Sequence, residues 1–317
     1  MAKLNLALLA GGISSERDVS IESGRQVYAA LDKDKYEISR YDPKTDLLQL
    51  VADAAKIDVA LIILHGPYGE DGTVQGLLEL LGIPYQGAGV MSSAVAMNKL
   101  ASKQLYEHAG LPVPAYMVLT IKDAAAADTC VARCGLPLVV KPVSAGSSVG
   151  ISIVKTKDQL ADALDLARTH DDTVLVEAFI EGVELTVGVI GNDKTEALPV
   201  IEIIPDKTHA FFDYEAKYVA GVSQEICPAR IDEALTTQAQ AYAQMAHSTL
   251  FCTGYSRTDM ILGGRDLFIL ETNTIPGMTP NSLLPKAAQT AGISFTKLLD
   301  RLITLGLEAH ANKMVPK

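Results

Sequence analysis

The sequence predicts an α/β protein whose first third is a parallel sheet with helices on both faces and whose remainder is α+β. Three observations carry this. Apolar strands alternate with helical stretches from Leu4 to Leu64. A strand, a loop of small residues and a second strand follow in mid-chain, LPLVVKPVSAGSSVGISIV. Two apolar strands, TDMIL and DLFIL, lie near the end, joined by a turn containing Gly263 and Gly264. At 317 residues the chain is too long for one small core. Three domains are expected, at 1–95, 96–184 and 185–317.

The 48% apolar content excludes a disordered chain. A net charge of -11 without a basic stripe speaks against nucleic acid or an anionic membrane as a partner. No segment approaches the roughly 20 apolar residues of a membrane span. The opening MAKLNLALLAGG reads as a first strand and not as a signal peptide, since SSERD follows where small cleavage-site residues belong. A cytoplasmic protein is expected. Cys130, Cys134, Cys227 and Cys252 are sparse, and no second pair or histidine cluster completes a zinc site around the first two. They read as reduced, packed thiols.

In the first third, a strand at Leu4–Leu9 turns at Gly11-Gly12 into a helix running through Gly24 to Leu31. Strands follow at Tyr36–Tyr41 and Val59–Leu64. Loops at the C-terminal ends of parallel strands bind ligands, and Gly11, Gly12, Glu16 and His65 sit at such ends. A dinucleotide fold is not supported, because GGISSER lacks the third glycine of that fingerprint. His65 alone reads as a capping or packing histidine. Followed by the Gly-rich, polar loop GPYGEDGTVQG, it reads as functional.

In the middle third, one helix is expected from Ser92 to Gly110, where glycine suits a left-handed C′ position. It carries Lys99, which as a single residue reads as a solvated lysine. The strand Leu138–Val140 runs into Lys141-Pro142 and a Ser/Gly loop before the strand Ile151–Val154. Small residues let backbone N–H groups approach phosphate oxygens, and Lys141 adds a positive charge beside them. This is not a Walker A loop, since the lysine precedes the glycines. Taken alone, the segment reads equally as a hairpin with a flexible tip. A strand at Thr173–Val176 then leads through Glu177, Phe179 and Ile180, a strand edge suited to adenine, with Glu184 placed for ribose hydroxyls.

In the last third, strands are expected at Leu185–Ile190 and Leu198–Ile203, and helices over about 232–250 and from Phe295 to about Leu307, the latter capped by Ser294. The aromatic-bearing stretch between Pro205 and Pro228 is expected to be a lid, with Lys217 or Tyr218 reaching inward. On the two late strands, Arg257 shares a face with Asp259, and Glu271 shares one with Asn273. Two carboxylates and an amide oxygen on one face suit Mg²⁺, which completes its shell with phosphate and water. A two-residue Gly-Gly turn would turn Asp259 and Glu271 to opposite faces. A three-residue loop ending at Arg265, or a bulge, puts them on the same face, and that is the expectation. Acids fraying into solvent at strand ends are the alternative.

This late arrangement resembles the metal-binding end of the ATP-grasp superfamily. With LLAGGISSERDVS, LHGPYGEDGTVQGLLELLGIPYQGAGV, MNKLASK, VVKPVSAGSSVG, FDYEAKYV, SRTDM and LETNTIPGMTPNSLLP, the chain closely resembles the D-alanine–D-alanine ligase family over essentially its whole length. The resemblance implies a three-domain ATP-grasp fold that joins two D-alanines through an acyl phosphate, with ATP and two Mg²⁺ ions (Mn²⁺ able to replace them), in peptidoglycan synthesis. By the same resemblance Glu16 holds the ammonium of the first D-alanine, with Val19 and His65 nearby. Lys99 and Lys141 bind ATP phosphates, and Lys217 helps to disperse their charge. Glu177, Phe179 and Ile180 frame adenine, Glu184 takes the ribose, and Asp259, Glu271 and Asn273 hold the metal. Ser147 and Tyr218 link through Glu16 into a triad. Ser282 and Leu283 help to hold substrates, and Arg257 with the Gly277 N–H stabilises the oxyanion. A homodimer through the N-terminal domain is also implied.

The chain departs from the family pattern at Ala145, where an acid is common, at Ser144, and at Ser256, where glycine is frequent. None of these touches a named role. The Lys217-Tyr218 pair resembles that of dipeptide-forming members. The alternatives are a D-alanine–D-lactate or D-serine ligase and another ATP-grasp carboxylate–amine ligase. The last would keep Asp259, Glu271, Asn273 and both lysines but lose the Glu16, Ser147, Tyr218 set. A non-enzymatic nucleotide-binding regulator would tolerate loss of the metal carboxylates, and all three ligands are present.

Overall fold

The computed structural model describes residues 3–120, 127–144, 146, 149–205 and 223–314. The expectations for Ser147, Lys217 and Tyr218, and the departure at Ala145, lie outside the described residues.

Strand β1 (Leu4–Leu9) is apolar on both faces and forms the centre of a parallel sheet, flanked by β2 (Tyr36–Tyr41) and β3 (Val59–Ile62). Helix α1 (Arg17–Ala30) covers one face. It comes close because Gly24 has no side chain: a Cβ there would lie 2.4 Å from that of Ala10. On the other face α2 (Leu47–Asp53) and α3 (Thr73–Leu80) bury Leu50, Val74 and Leu78 against Ala7, Leu9 and Ile62. Parallel strands with helices on both faces are therefore present as expected.

The single helix expected over Ser92–Gly110 is two helices, α4 (Val90–Met97) and α5 (Lys99–His108). Asn98 breaks them. Its backbone is extended (φ -89°, ψ 101°) and its side-chain oxygen accepts from Ala101 N at 2.9 Å, an N-cap that restarts the helix. The break places Lys99 in the first turn of α5, where its backbone N–H donates to Val143 O at 3.0 Å. Gly110 ends the segment with φ +79°, as expected.

A second, antiparallel sheet follows in the order β4 (Tyr116–Thr120), β7 (Thr173–Ala178), β5 (Leu138–Pro142), β6 (Ser152–Val154). Helices α6 (Ala127–Cys134) and α7 (Leu160–Arg168) cover one of its faces. Cys130 and Cys134 lie in that core as free thiols, and burial pushes both pKa values up, so they are packing residues.

The third sheet runs β11 (Ser223–Ile226), β10 (Ile201–Pro205), β8 (Val183–Ile190), β12 (Tyr255–Gly263), β13 (Asp266–Asn273), with the short β9 (Glu196–Ala197) on β8. Helix α8 (Glu233–Thr249) packs Ala239, Ala243 and Ala246 against Val187, Val189 and Met260 on one face. On the other face, α9 (Leu283–Thr290) and α10 (Phe295–Met314) share a core with Leu6, Leu8 and Leu61 of the first sheet. The first and third sheets are thus welded through one hydrophobic cluster, and the space above it is framed by both. Helix α10 runs past the expected end at Leu307, tied at its last turns by Lys313 to Glu79 at 2.7 Å.

The late hairpin decides the face of the metal candidates. Its turn has two residues, Gly264 (φ +66°) and Arg265, between paired Gly263 and Asp266. The three-residue loop is therefore not the device. That pairing alone would set Asp259 opposite Leu270. A bulge between Asp259 and Met260 inserts one residue on β13 and shifts the register, so that Asp259 faces Glu271 and Arg257 faces Asn273. All four side chains then share one face.

Beneath that face runs a buried relay. Tyr106 Oη donates to Thr272 Oγ1 at 2.7 Å, and Thr272 Oγ1 lies 3.0 Å from Thr258 Oγ1. Tyr106→Phe leaves the shape but removes one buried hydrogen bond, and is expected to cost about 1–2 kcal/mol in urea unfolding.

A second buried group gives an acid-side expectation. His247 contacts Ser256 Oγ at 2.7 Å through Nδ1, and burial lowers its pKa from 6.5 to about 4. The unfolded chain therefore binds this proton first as pH falls. Stability is lost between about 6.5 and 4, by up to about 1.4 kcal/mol per pH unit. A His247→Gln variant should show a shallower decline in unfolding midpoint over that range, and an identical slope would contradict the assignment.

Candidate active site

A cleft of about 870 Å³ lies between the first and third sheets. From the first sheet it is lined by Glu16, Val19 and His65, and from α5 by Lys99. From the late hairpin and the turn after it come Arg257, Glu271, Asn273 and Gly277, followed by Ser282 and Leu283 at the start of α9. These expected residues come from segments far apart in sequence, and the fold brings them to one space.

Glu16 is buried at the start of α1. Its Oε2 packs so tightly on Gly66 (φ +72°) that a Cβ there would lie 2.5 Å away, and the glycine loop reaches the same oxygen at Gly146, where a Cβ would lie 3.6 Å away. Glycine is required at 66 both for the left-handed backbone and for this approach. His65 is only 4% exposed. Burial lowers its pKa, with the Glu16 charge and a hydrogen bond to the Ile275 carbonyl opposing, so the ring is neutral. Its Nε2 is buried with no hydrogen-bond partner among the described residues, which fits a polar molecule in the cleft.

Asp259 sits behind Arg257. The guanidinium donates to both carboxylate oxygens, Nε at 2.9 Å and Nη2 at 2.7 Å. Thr186 Oγ1 donates at 2.5 Å from the adjacent strand, and Asn273 Nδ2 at 3.0 Å. Glu271, across the ladder, has Lys99 Nζ at 3.7 Å. No cluster of three or more acidic, histidine or cysteine side chains able to hold a metal occurs among the described residues. Two carboxylates and an amide oxygen on one face still suit Mg²⁺, because phosphate and water supply most of its shell. The donor set fits the ion.

Apart from Lys99, the described residues expected at the nucleotide form an adjoining group that does not line this cleft. Lys141 ends β5 with its Nζ 2.7 Å from Glu177 Oε2 on β7, and Glu177 Oε1 lies 2.8 Å from Lys103 Nζ. Burial alone would raise the Glu177 carboxyl, but Lys141 and Lys103 hold it below the usual range. Phe179 and Ile180 follow the end of β7, which is paired on both sides by β4 and β5, so the open strand edge expected from the sequence is not present there. Ile180 Cγ2 lies against Gly263, where a Cβ would come within 2.7 Å, and Glu184 on β8 is paired with Ile261. Lys99 stands between the two groups, through its bond to Val143 beside β5 and its contact with Glu271.

Three residues escaped the sequence reading. Thr186 lacked any motif, and only the pairing of β8 with β12 sets it against Asp259. Glu70 sits in the loop after His65, facing the cleft and accepting from Gly66 N at 2.7 Å; burial and the Glu16 charge raise its pKa to about 8. The Gly-rich loop signalled function there without marking this acid. Lys103 had a signal, four residues after Lys99 on one helix face.

Comparison with known proteins agrees with this geometry. The D-ala D-ala ligase C-terminus profile matches residues 105–304, and the D-ala D-ala ligase N-terminus profile matches 42–88. The D-alanine--D-alanine ligase of Syntrophobacter fumaroxidans is 61% identical over 306 residues, covering 96% of this chain and 98% of the relative. The crystal structure of D-alanine--D-alanine ligase from Bacillus anthracis complexed with ATP superposes with a TM-score of 0.84 at 35% identity, covering 98% of this chain and 99% of that one. The VanG D-Ala:D-Ser ligase from Enterococcus faecalis superposes with the same score at 33% identity, covering 96% and 100%. Identity this high, sustained from the first sheet to the last helix, places the chain in the D-alanine–D-alanine ligase family.

Proposed function

We propose that the chain joins two D-alanines to D-alanyl-D-alanine, converting ATP to ADP and phosphate through an acyl phosphate, and so supplies peptidoglycan synthesis. The observation that carries this is the meeting of Glu16 and His65 with Arg257, Glu271 and Gly277 in one cleft. That is an ammonium acceptor, an oxyanion donor pair and a phosphate-metal face within reach of one small amino acid.

The first D-alanine enters with its ammonium on Glu16, beside neutral His65. Its carboxylate oxygen attacks the γ-phosphorus of ATP, the bond to the bridging oxygen breaks, and ADP departs. Lys99 and Lys141 stabilise the charge of that transfer, together with Lys217. Asp259, Glu271 and Asn273 would hold two Mg²⁺ ions, or Mn²⁺ in their place, which would supply neutralisation of the phosphate charge. The amine of the second D-alanine then attacks the acyl carbonyl. Arg257 and the Gly277 N–H donate to the oxyanion, and phosphate leaves with the former carboxylate oxygen. Ser282, whose Oγ accepts from Thr279 N at 3.1 Å, lies close enough to Gly277 that a Cβ there would be 3.1 Å from it; it fixes this turn, with Leu283 closing the substrate end. In this reading Glu184 takes the ribose, Glu177, Phe179 and Ile180 border the adenine, and Ser147 and Tyr218 join Glu16 in tying loop and lid to the substrate.

The homodimer that the resemblance implies is tested by sedimentation. No described helix is long and apolar enough to cross a membrane, and a reaction fed by ATP is assigned to the cytoplasm. The likeness to a D-Ala:D-Ser ligase keeps D-serine as a second reading for the second substrate. ATP-dependent phosphate release with D-alanine alone, and with D-serine or D-lactate added, separates them. Release with D-alanine and none with L-alanine is expected. Equal release with L-alanine would overturn the assignment.

A further inference from the structure

Lys103 is the most deeply buried cation among the described residues, at 1% exposure, and no step above uses it. Burying an ammonium is costly unless something holds it. Here Glu177 does, with Oε1 2.8 Å from Lys103 and Oε2 2.7 Å from Lys141. The Lys103 contact is a short charge contact, and the Tyr116 ring lies 5.4 Å from the ammonium. Tyr116 is itself held by Glu107 at 2.7 Å. One carboxylate is therefore divided between two lysines, and Lys141 receives only half of it.

This division bears on the nucleotide. A carboxylate free to take Lys141 with both oxygens would draw that ammonium back and neutralise it. Helix α5, which carries Lys103, is fixed at both ends, by the Asn98 cap and by Tyr106 on Thr272 of the metal strand. It can hold Glu177 Oε1 at a constant position. Burial pulls the Lys103 ammonium down while the Glu177 charge opposes it.

We propose that Lys103 is a positioning residue for ATP: by occupying one oxygen of Glu177 it keeps Lys141 available to the nucleotide polyphosphate. The inference rests on the nucleotide assignment above. Lys103 itself touches neither ATP nor D-alanine.

The test is calorimetric binding of a non-hydrolysable ATP analogue with Mg²⁺, alongside KM for D-alanine. Lys103→Met is expected to weaken nucleotide binding about tenfold and leave the D-alanine KM within about twofold. Lys103→Arg should restore binding, because it again fills the carboxylate oxygen. Lys103→Gln, shorter than lysine and uncharged, carries the test if Lys103→Met fails to fold, and it too is expected to weaken nucleotide binding. Wild-type affinity in Lys103→Met, or in Lys103→Gln where the methionine variant does not fold, overturns the proposal. Equal losses for nucleotide and D-alanine would also overturn it, by showing a purely structural role. A wild-type protein that binds no nucleotide overturns both this inference and the function it rests on, whereas normal wild-type binding with an indifferent Lys103→Met removes this inference alone.

Discussion

An Arg257→Met variant is expected to lose about 10²–10³ in kcat while its KM for ATP stays within a few-fold. The guanidinium lines the cleft at 8% exposure and is aimed by Asp259, which accepts two of its N–H groups. A planar donor held in that way needs little reorganisation when negative charge develops on the acyl oxygen. Methionine keeps most of the volume and removes the donor. Asp259 stays in place, because Thr186 and Asn273 still donate to it. An Arg257→Lys variant keeps the charge without the fork, and should therefore retain only part of the rate. Steady-state phosphate release measures both variants. A rise in the KM for ATP at unchanged kcat would move Arg257 from the oxyanion to the phosphates.

The second large effect belongs to the metal face. Glu271→Gln is expected to lower kcat at least about 10³-fold, since phosphate charge neutralisation by a divalent ion amounts to several kcal/mol. It should also weaken Mn²⁺ binding in the presence of ADP, read by paramagnetic resonance without turnover. The geometry makes the site sensitive: Glu271 faces Asp259 only because of one bulge, and Lys99 lies 3.7 Å from it. Exhaustive chelation of the wild-type protein should abolish phosphate release. Full activity after chelation would remove the metal from the reaction.

Much of this site was legible in the sequence because its residues close regular elements. Glu16 and His65 follow parallel strands, where ligand loops must lie. Asp259 lies within one apolar strand, and Glu271 and Asn273 close the other, and the alternation of each gives their face. What alternation could not give was the register. Two devices satisfied it on paper, a longer loop or a bulge, and the chain uses the bulge at Leu270 with a tight Gly264-Arg265 turn. The break at Asn98 was hidden for a related reason. Helical periodicity continues across it, and only the cap on Ala101 and the bond from Lys99 to Val143 show why the chain turns there. Thr186 lay beyond local reading, and Lys103 showed only its spacing from Lys99. Their partners, Asp259 and Glu177, are more than 70 residues away in sequence: pairing of distant strands sets Thr186 against Asp259, and a contact from helix α5 to β7 joins Lys103 to Glu177.

The step proposed for the cleft is the making of an acyl phosphate between a D-alanine carboxylate and ATP. Turnover of D-alanine carrying ¹⁸O in its carboxylate, followed by phosphorus resonance of the released phosphate, reads that bond directly. One ¹⁸O delivered to each phosphate is the expected result, with the other kept in the dipeptide carbonyl. Unlabelled phosphate alongside dipeptide would mean that ATP is cleaved without the carboxylate ever joining phosphorus, and the cleft would then need another mechanism.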